Sequence, residues 1–278
     1  MDSRFKLSLL GAVVFAVSPF TGAAMTGAAA ADLLPPPPIV EAPEVVTKSG
    51  TGWYLRGDIS YDFQKVDGYH YTPATNSVTD FARAELDDSY NIGLGIGYQI
   101  SQNFRADLTL DYVFSAHMDG SSCTTGGAFA CSGGTQPGPF YDRTDMSRLD
   151  LLANAYYDIG TFGKFTPYVG AGIGGSYVKY DNLNNTNVPS GGTINDNHEG
   201  QSTWRFAYAL HAGAAVSLSS NLKLDLGYSY KHIEGGASHA FSDAQIAAVP
   251  GLAGRDFIYD KGIEDHVIRA GLRYQFGH

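Results

Sequence analysis

Residues 267–276 read VIRAGLRYQF, with Ile268, Ala270, Leu272, Tyr274 and Phe276 on one parity and Arg269, Gly271, Arg273 and Gln275 on the other. Side chains of a β-strand point alternately to its two faces, so this is a strand with one apolar and one doubly cationic face. Alone, it suits a soluble sandwich with the apolar face inside as well as a barrel in lipid with that face outside.

Recurrence and spacing separate the two. Trp53, Leu55, Ile59, Tyr61 and Phe63 oppose Tyr54, Arg56, Asp58, Ser60 and Asp62, and similar alternations begin near Tyr90, Phe104, Leu149, Val169, Trp204 and Leu222. That makes eight strands. The connections SQN (101–103), GTFGKF (160–165) and SSN (219–221) are short, and they alternate with long polar loops near 64–88, 115–145, 181–202 and 232–264. Short turns at one rim and long loops at the other predict an all-β fold, an eight-stranded antiparallel up-and-down transmembrane β-barrel. If odd strands run outward, Trp53, Tyr98, Phe104, Tyr157, Tyr274 and Phe276 gather at the short-turn rim. Tyr61, Phe63, Tyr90, Tyr112, Phe114, Tyr177, Trp204, Phe206, Tyr228 and Tyr230 gather at the other. Two such aromatic belts mark membrane interfaces, and a soluble barrel would not need them.

The second parity then faces the lumen. It carries Arg56, Arg105, Arg148, Arg205, Lys223, Lys231, Arg269 and Arg273 with Asp58, Asp62, Asp107, Asp111, Asp150, Asp158 and Asp225. An eight-stranded barrel has little more than room for side chains, so this column is read as a hydrogen-bonded plug; the rival reading is a proton or ion path. Gly93, Gly95, Gly97, Gly170, Gly172 and Gly174 would leave space for the long residues. The formal charge of −10 argues against a general affinity for nucleic acid.

At the front, Arg4 and Lys6, the apolar run Leu7 to Phe20 and a cluster of small residues describe a secretory signal peptide, residues 1–30. Cleavage would leave Ala31-Asp32 as the new terminus, or fall one residue later. Pro35 to Pro38 favour an extended spacer over 31–51, either a plain leader or a periplasmic tether, and the barrel is expected over 52–276. Cys123 and Cys131 are the only cysteines. In an exported chain they are expected to pair, stabilising their loop by roughly 2–3 kcal/mol on the chain-entropy model.

No catalytic, cofactor or metal site emerges. GAGIGG (170–175) formally satisfies a dinucleotide fingerprint, but SYVKY after it goes on alternating as a strand rather than opening a helix. The histidines at 70, 117, 198, 232, 239 and 266, and His211 within a strand, are read as solvated residues that share no site. A small pore and a lipid A-modifying enzyme are minor alternatives; no compact His-x-Ser pair stands on an outward strand.

From Trp53 to Phe276, and in its AD…PPPP start, the chain resembles the small eight-stranded outer-membrane proteins of the OmpA-like and opacity type. The similarity is greatest to the abundant surface barrels of alphaproteobacteria. It implies an integral protein of the outer membrane with both termini periplasmic, in contact with outer-membrane lipid and lipopolysaccharide. It also implies a last-strand signal to the barrel assembly machinery, which Arg269, Gly271, Tyr274 and Phe276 match, although Gly277 and His278 follow the usual terminal Phe. Some such proteins are joined to peptidoglycan through a mature N-terminal Ala followed by Asp, and Ala31-Asp32 is similar. The expected role is non-enzymatic support of the envelope. The main rival is an adhesin or a receptor for host or surface ligands, acting through loops that include Tyr69 and Tyr71.

Overall fold

The computed structural model describes residues 50–72, 79–122, 140–187 and 194–276. In chain order its strands are β1 (Gly52–Val66), β2 (Tyr69–Tyr71), β3 (Thr79–Asp80), β4 (Arg83–Leu86), β5 (Ser89–Gln99), β6 (Phe104–Ser121) and β7 (Phe140–Asp158). There follow β8 (Phe165–Tyr180), β9 (Leu183–Asn187), β10 (Ile194–His198), β11 (Ser202–Ser217), β12 (Leu222–Ala240) and β13 (Asp256–Gln275). A short α-helix, α1 (Asp243–Ala248), opened by a capping box of Ser242 and Gln245, and a 3-10 turn (Pro250–Leu252) lie between the last two.

Eight of the strands close on themselves, antiparallel throughout, in the order β1, β5, β6, β7, β8, β11, β12, β13 and back to β1. At the seam Tyr54 pairs with Gln275 and Val66 with Ile263. Closure leaves these strands without an unpaired edge, which a lipid-exposed backbone requires. Two of the short turns use the same chemistry. The Ser101 hydroxyl accepts from the backbone N–H of Phe104 at 3.1 Å, and the Ser219 hydroxyl from that of Leu222 at 3.1 Å. The following Asn then donates to a strand carbonyl across the rim, Asn103 to Asp158 at 2.7 Å and Asn221 to Gln275 at 3.0 Å.

Between the aromatic belts the barrel is inverted relative to a soluble protein. Ile59, Ile92, Leu94, Leu110, Ile173, Leu210, Ile268 and Leu272 are exposed on its outer wall, while Arg56, Asp58, Arg105, Asp107, Arg148 and Asp150 are buried inside. Beyond the second belt the inversion ends. Val66, Met118, Met146, Val178, Leu183, Ile233, Ile258 and Ile263 join Tyr69 and Tyr180 in one buried apolar cluster, and Lys179, Asp181 and Arg143 stand on the outside. The same wall therefore changes its solvent on both faces as it leaves the membrane.

That upper storey departs from the polar loops expected near 115–145 and 232–264. β6 runs on to Ser121, β7 begins at Phe140, and β12 and β13 continue pairing to Ala240 and Asp256. Two physical reasons hid it. A bulge between Val113 and Ala116 flips the parity of β6, so an even spacing across it fails. Past the belt, moreover, the outward face turns polar, and the apolar contrast that marks a lipid-facing strand is lost.

Candidate functional site

Three tiers of charge fill the bore. At the short-turn end, Arg273 binds Asp225 at 3.0 Å and Arg105 binds Asp158 at 3.2 Å. The Arg105 guanidinium lies 4.0 Å over the Tyr156 ring and 4.5 Å over that of Tyr168. In the middle tier Arg56 holds Asp58 through two bonds of 2.8 and 2.9 Å and reaches Asp107 at 3.0 Å. Asp107 also accepts from Tyr54 at 3.0 Å and Asn154 at 2.9 Å, and Asn154 meets His211 at 3.0 Å. In the third tier Arg148 bonds to Asp62 at 3.3 Å, to Asp150 at 3.2 Å and to Asp265, and Lys231 reaches Asp150 at 2.5 Å. Above them Arg205 pairs with Asp260 at 2.5 Å, and Tyr180 donates to the same carboxylate at 2.9 Å.

Glycines make the room. A Cβ on Gly97 would collide with the Tyr54 ring, one on Gly93 with the Asp111 carboxylate, and one on Gly172 with Asn154. A polar cavity of about 20 Å³ lies among Asp111, Lys231, Arg269 and His211, about the space of one water molecule.

Of the residues assigned to the lumen from the sequence, Arg56, Asp58, Asp62, Arg105, Asp107, Arg148, Asp150, Asp158, Asp225, Lys231 and Arg273 sit in these tiers, and Arg205 sits above them. Arg269 approaches Asp58 only to 3.9 Å. Lys223 and Asp111 form no ion pair among the described residues. Asp260 and Asp265 are buried lumen carboxylates not expected from the sequence, although Asp265 continues the parity of Arg269 and Arg273. Tyr54 is buried on the inward parity expected of it, and Tyr156 and Tyr168, which share that parity but carry no charge to mark them, line the bore beside it. Gly271, Tyr274 and Phe276 close the last strand against β1, the Phe276 N–H donating to the Trp53 carbonyl at 2.9 Å. Ala31, Asp32, Cys123 and Cys131 lie outside the described residues.

Three of the histidines expected in solvent are shielded from it. His198, His211 and His239 are buried, because the strands that carry them turn them inward. In the upper storey, His239 meets the Asp181 carbonyl at 3.1 Å and Ser238 at 3.1 Å, and burial pulls its pKa down to about 4. His117 stands on the outer wall and meets the Asp145 carboxylate at 2.7 Å, a hydrogen bond that raises its pKa. Also on the outer wall, Asp67, His232 and Glu264 bring potential metal-ligand atoms within 4.8 Å of one another. The Lys65 ammonium lies 4.0 Å from both carboxylates and already supplies a cation there.

A closed antiparallel ring of eight strands, oily outside and ionic inside, coincides with a match to the family model described as outer membrane protein beta-barrel domain over residues 19–276. The chain belongs to that family. As an outer membrane β-barrel, it is similar to an uncharacterized protein of Brucella abortus, 36% identical over 274 residues, covering 91% of this chain and 94% of the other. A Rickettsia bellii protein provisionally named an adhesin is 32% identical over 183 residues, 65% of this chain and 72% of that one. Among solved structures, the barrel aligns with the outer membrane protein OprG from Pseudomonas aeruginosa at 14% identity and TM-score 0.46, over 83% of this chain and 98% of that one. It also aligns with Neisserial surface protein A at 15% identity and TM-score 0.42, over 82% and 99%.

Proposed function

We propose that this outer-membrane barrel is a non-conducting, non-enzymatic anchor that holds a rigid recognition platform at the cell surface. The observation that carries this reading is the apolar cluster beyond the second belt, from Val66 and Met118 to Ile258 and Ile263. A wall with its own core is a stiff mount, and stiff mounts favour specific contacts at the loops they display. The filled bore supports the absence of conduction, since every tier puts buried ion pairs in the path and Arg56–Asp107 and Lys231–Asp150 join strands that are not neighbours. The provisional adhesin name of the Rickettsia bellii relative agrees with a surface contact role. In this reading the short turns and both termini are periplasmic, Arg269, Gly271, Tyr274 and Phe276 address the assembly machinery, and Cys123 and Cys131 form a disulfide.

Envelope support is the second reading, and it rests on the Ala31-Asp32 start and the spacer that would reach peptidoglycan. Replacing the segments beyond the belt by short turns, with the barrel kept, discriminates between the two. Loss of surface binding with unchanged detergent resistance is the expected result. Detergent sensitivity with unchanged surface binding would reverse the order of the readings.

A further inference from the structure

On the outer wall of the upper storey, a groove of about 580 Å³ runs between β7 and the β8–β9 connection. Tyr141, Arg143 and Asp145 line it from β7, with His117 from β6 and Asp181 and Asn184 from the far side. Tyr141 is 44% exposed, and its flat ring is open to a partner.

Height limits what can reach it. Leu149 pairs with the belt residues Tyr112 and Tyr177. Asp145, Arg143 and Tyr141 follow at every second position beyond it. At about 3.3 Å per residue and a strand tilt of about 40°, they stand roughly 10–20 Å past the belt. The polar headgroup layer adds only about 5–8 Å to each side of the hydrocarbon core. The groove thus opens sideways, beyond the headgroups, into the zone held by the sugars of surrounding glycolipid.

Its chemistry suits sugar. Vicinal hydroxyls each donate and accept, and planar carboxylate, amide and guanidinium groups match them in pairs. The C–H face of a sugar ring packs on an aromatic ring, as Tyr141 offers. Its cations are already matched, His117 by Asp145 at 2.7 Å, Arg143 by Asp119 at 3.0 Å and Lys179 by Asp181 at 3.2 Å, where a phosphate site would carry net positive charge.

We propose that this groove binds the oligosaccharide of the lipopolysaccharide surrounding the barrel, with Tyr141 as the stacking face and Asp145, Asp181 and Asn184 as hydroxyl partners. The assignment of source rests on the orientation proposed above, with the long strands outside the cell.

The test titrates the full chain in detergent micelles with delipidated core oligosaccharide from the producing strain, followed by calorimetry. Saturable binding is expected, weakened roughly tenfold or more by Tyr141→Ala and by Asp181→Asn and unchanged by Glu234→Gln on another strand. Heat-modifiable migration verifies that each variant is folded. Absence of saturable binding by the wild type, or equal binding by both groove variants, overturns the site. Equal affinity for sulfated host-type glycans, or for inorganic phosphate, overturns the assigned ligand. Labelling of Asn184→Cys on intact cells by a membrane-impermeant maleimide, above the wild-type background, checks orientation separately. A silent label would remove the orientation and with it the lipopolysaccharide source, whereas a reactive label without sugar binding removes the groove alone.

Discussion

Lys231 on β12 and Asp150 on β7 form an ion pair at 2.5 Å across the bore, although β8 and β11 separate their strands around the ring. Asp150 is shared with Arg148, which also serves Asp62 and Asp265. Arg148→Ala therefore leaves three buried carboxylates short of one cation. The expected loss is about 3–5 kcal/mol, read as a lower urea midpoint for unfolding from detergent micelles. An unchanged midpoint would mean that water already screens these charges, and the plug would no longer stand.

The same tiers predict electrical silence. Wild-type protein in planar bilayers is expected to give no reproducible large current steps. Small, rare openings would be compatible with fluctuating ion pairs, whereas a stable conductance from folded monomer would require a continuous wet path past Arg56, Arg148 and Lys231.

The eight-strand ring was legible because lipid enforces contrast. Leu94 beside Gly93, or Leu108 beside Asp107, leaves no doubt which parity meets oil. Charges in the bore were legible for the same reason, yet their partners were not. Parity places Arg148 and Asp62 inside, but only the ring order β1, β5, β6, β7 says that they face one another. Beyond the belt the contrast reverses and weakens, so Met118 falls in an expected loop, and a bulge after Val113 breaks the count. The groove around Tyr141 joins three elements and has no linear signature.

Acid should loosen the upper storey before the transmembrane ring. His239 keeps a pKa of about 4 when folded, against about 6.5 for an ordinary imidazole. The unfolded state thus takes up the proton first, so this contribution to stability is complete above about pH 6.5 and is lost as pH falls from there toward 4. The difference is on the order of 3 kcal/mol. Hydrogen exchange at residues 238–240, corrected for the intrinsic rate, is expected to accelerate at pH 4.5 relative to pH 7 in the wild type and much less in His239→Gln. Equal acceleration in both would assign the effect to other groups, His198 first.

Gly271 lies in register with Asp58 on one side and Asp225 on the other. A Cβ there would collide with the Asp58 carboxylate, standing 2.8 Å from its Cγ and 2.9 Å from the Gly57 carbonyl oxygen. Asp58 cannot retreat freely, because Arg56 grips both of its oxygens. The glycine thus has a packing role, separate from the role proposed for it in recognition by the assembly machinery. Gly271→Ala should cost about 1–3 kcal/mol through overpacking. The measurement is refolding from urea into detergent micelles with no assembly machinery present, where a recognition signal has nothing to address. A lower yield and midpoint than wild type is expected. Wild-type refolding combined with poor membrane insertion in cells would show that Asp58 yields to the methyl group and that the glycine serves recognition alone.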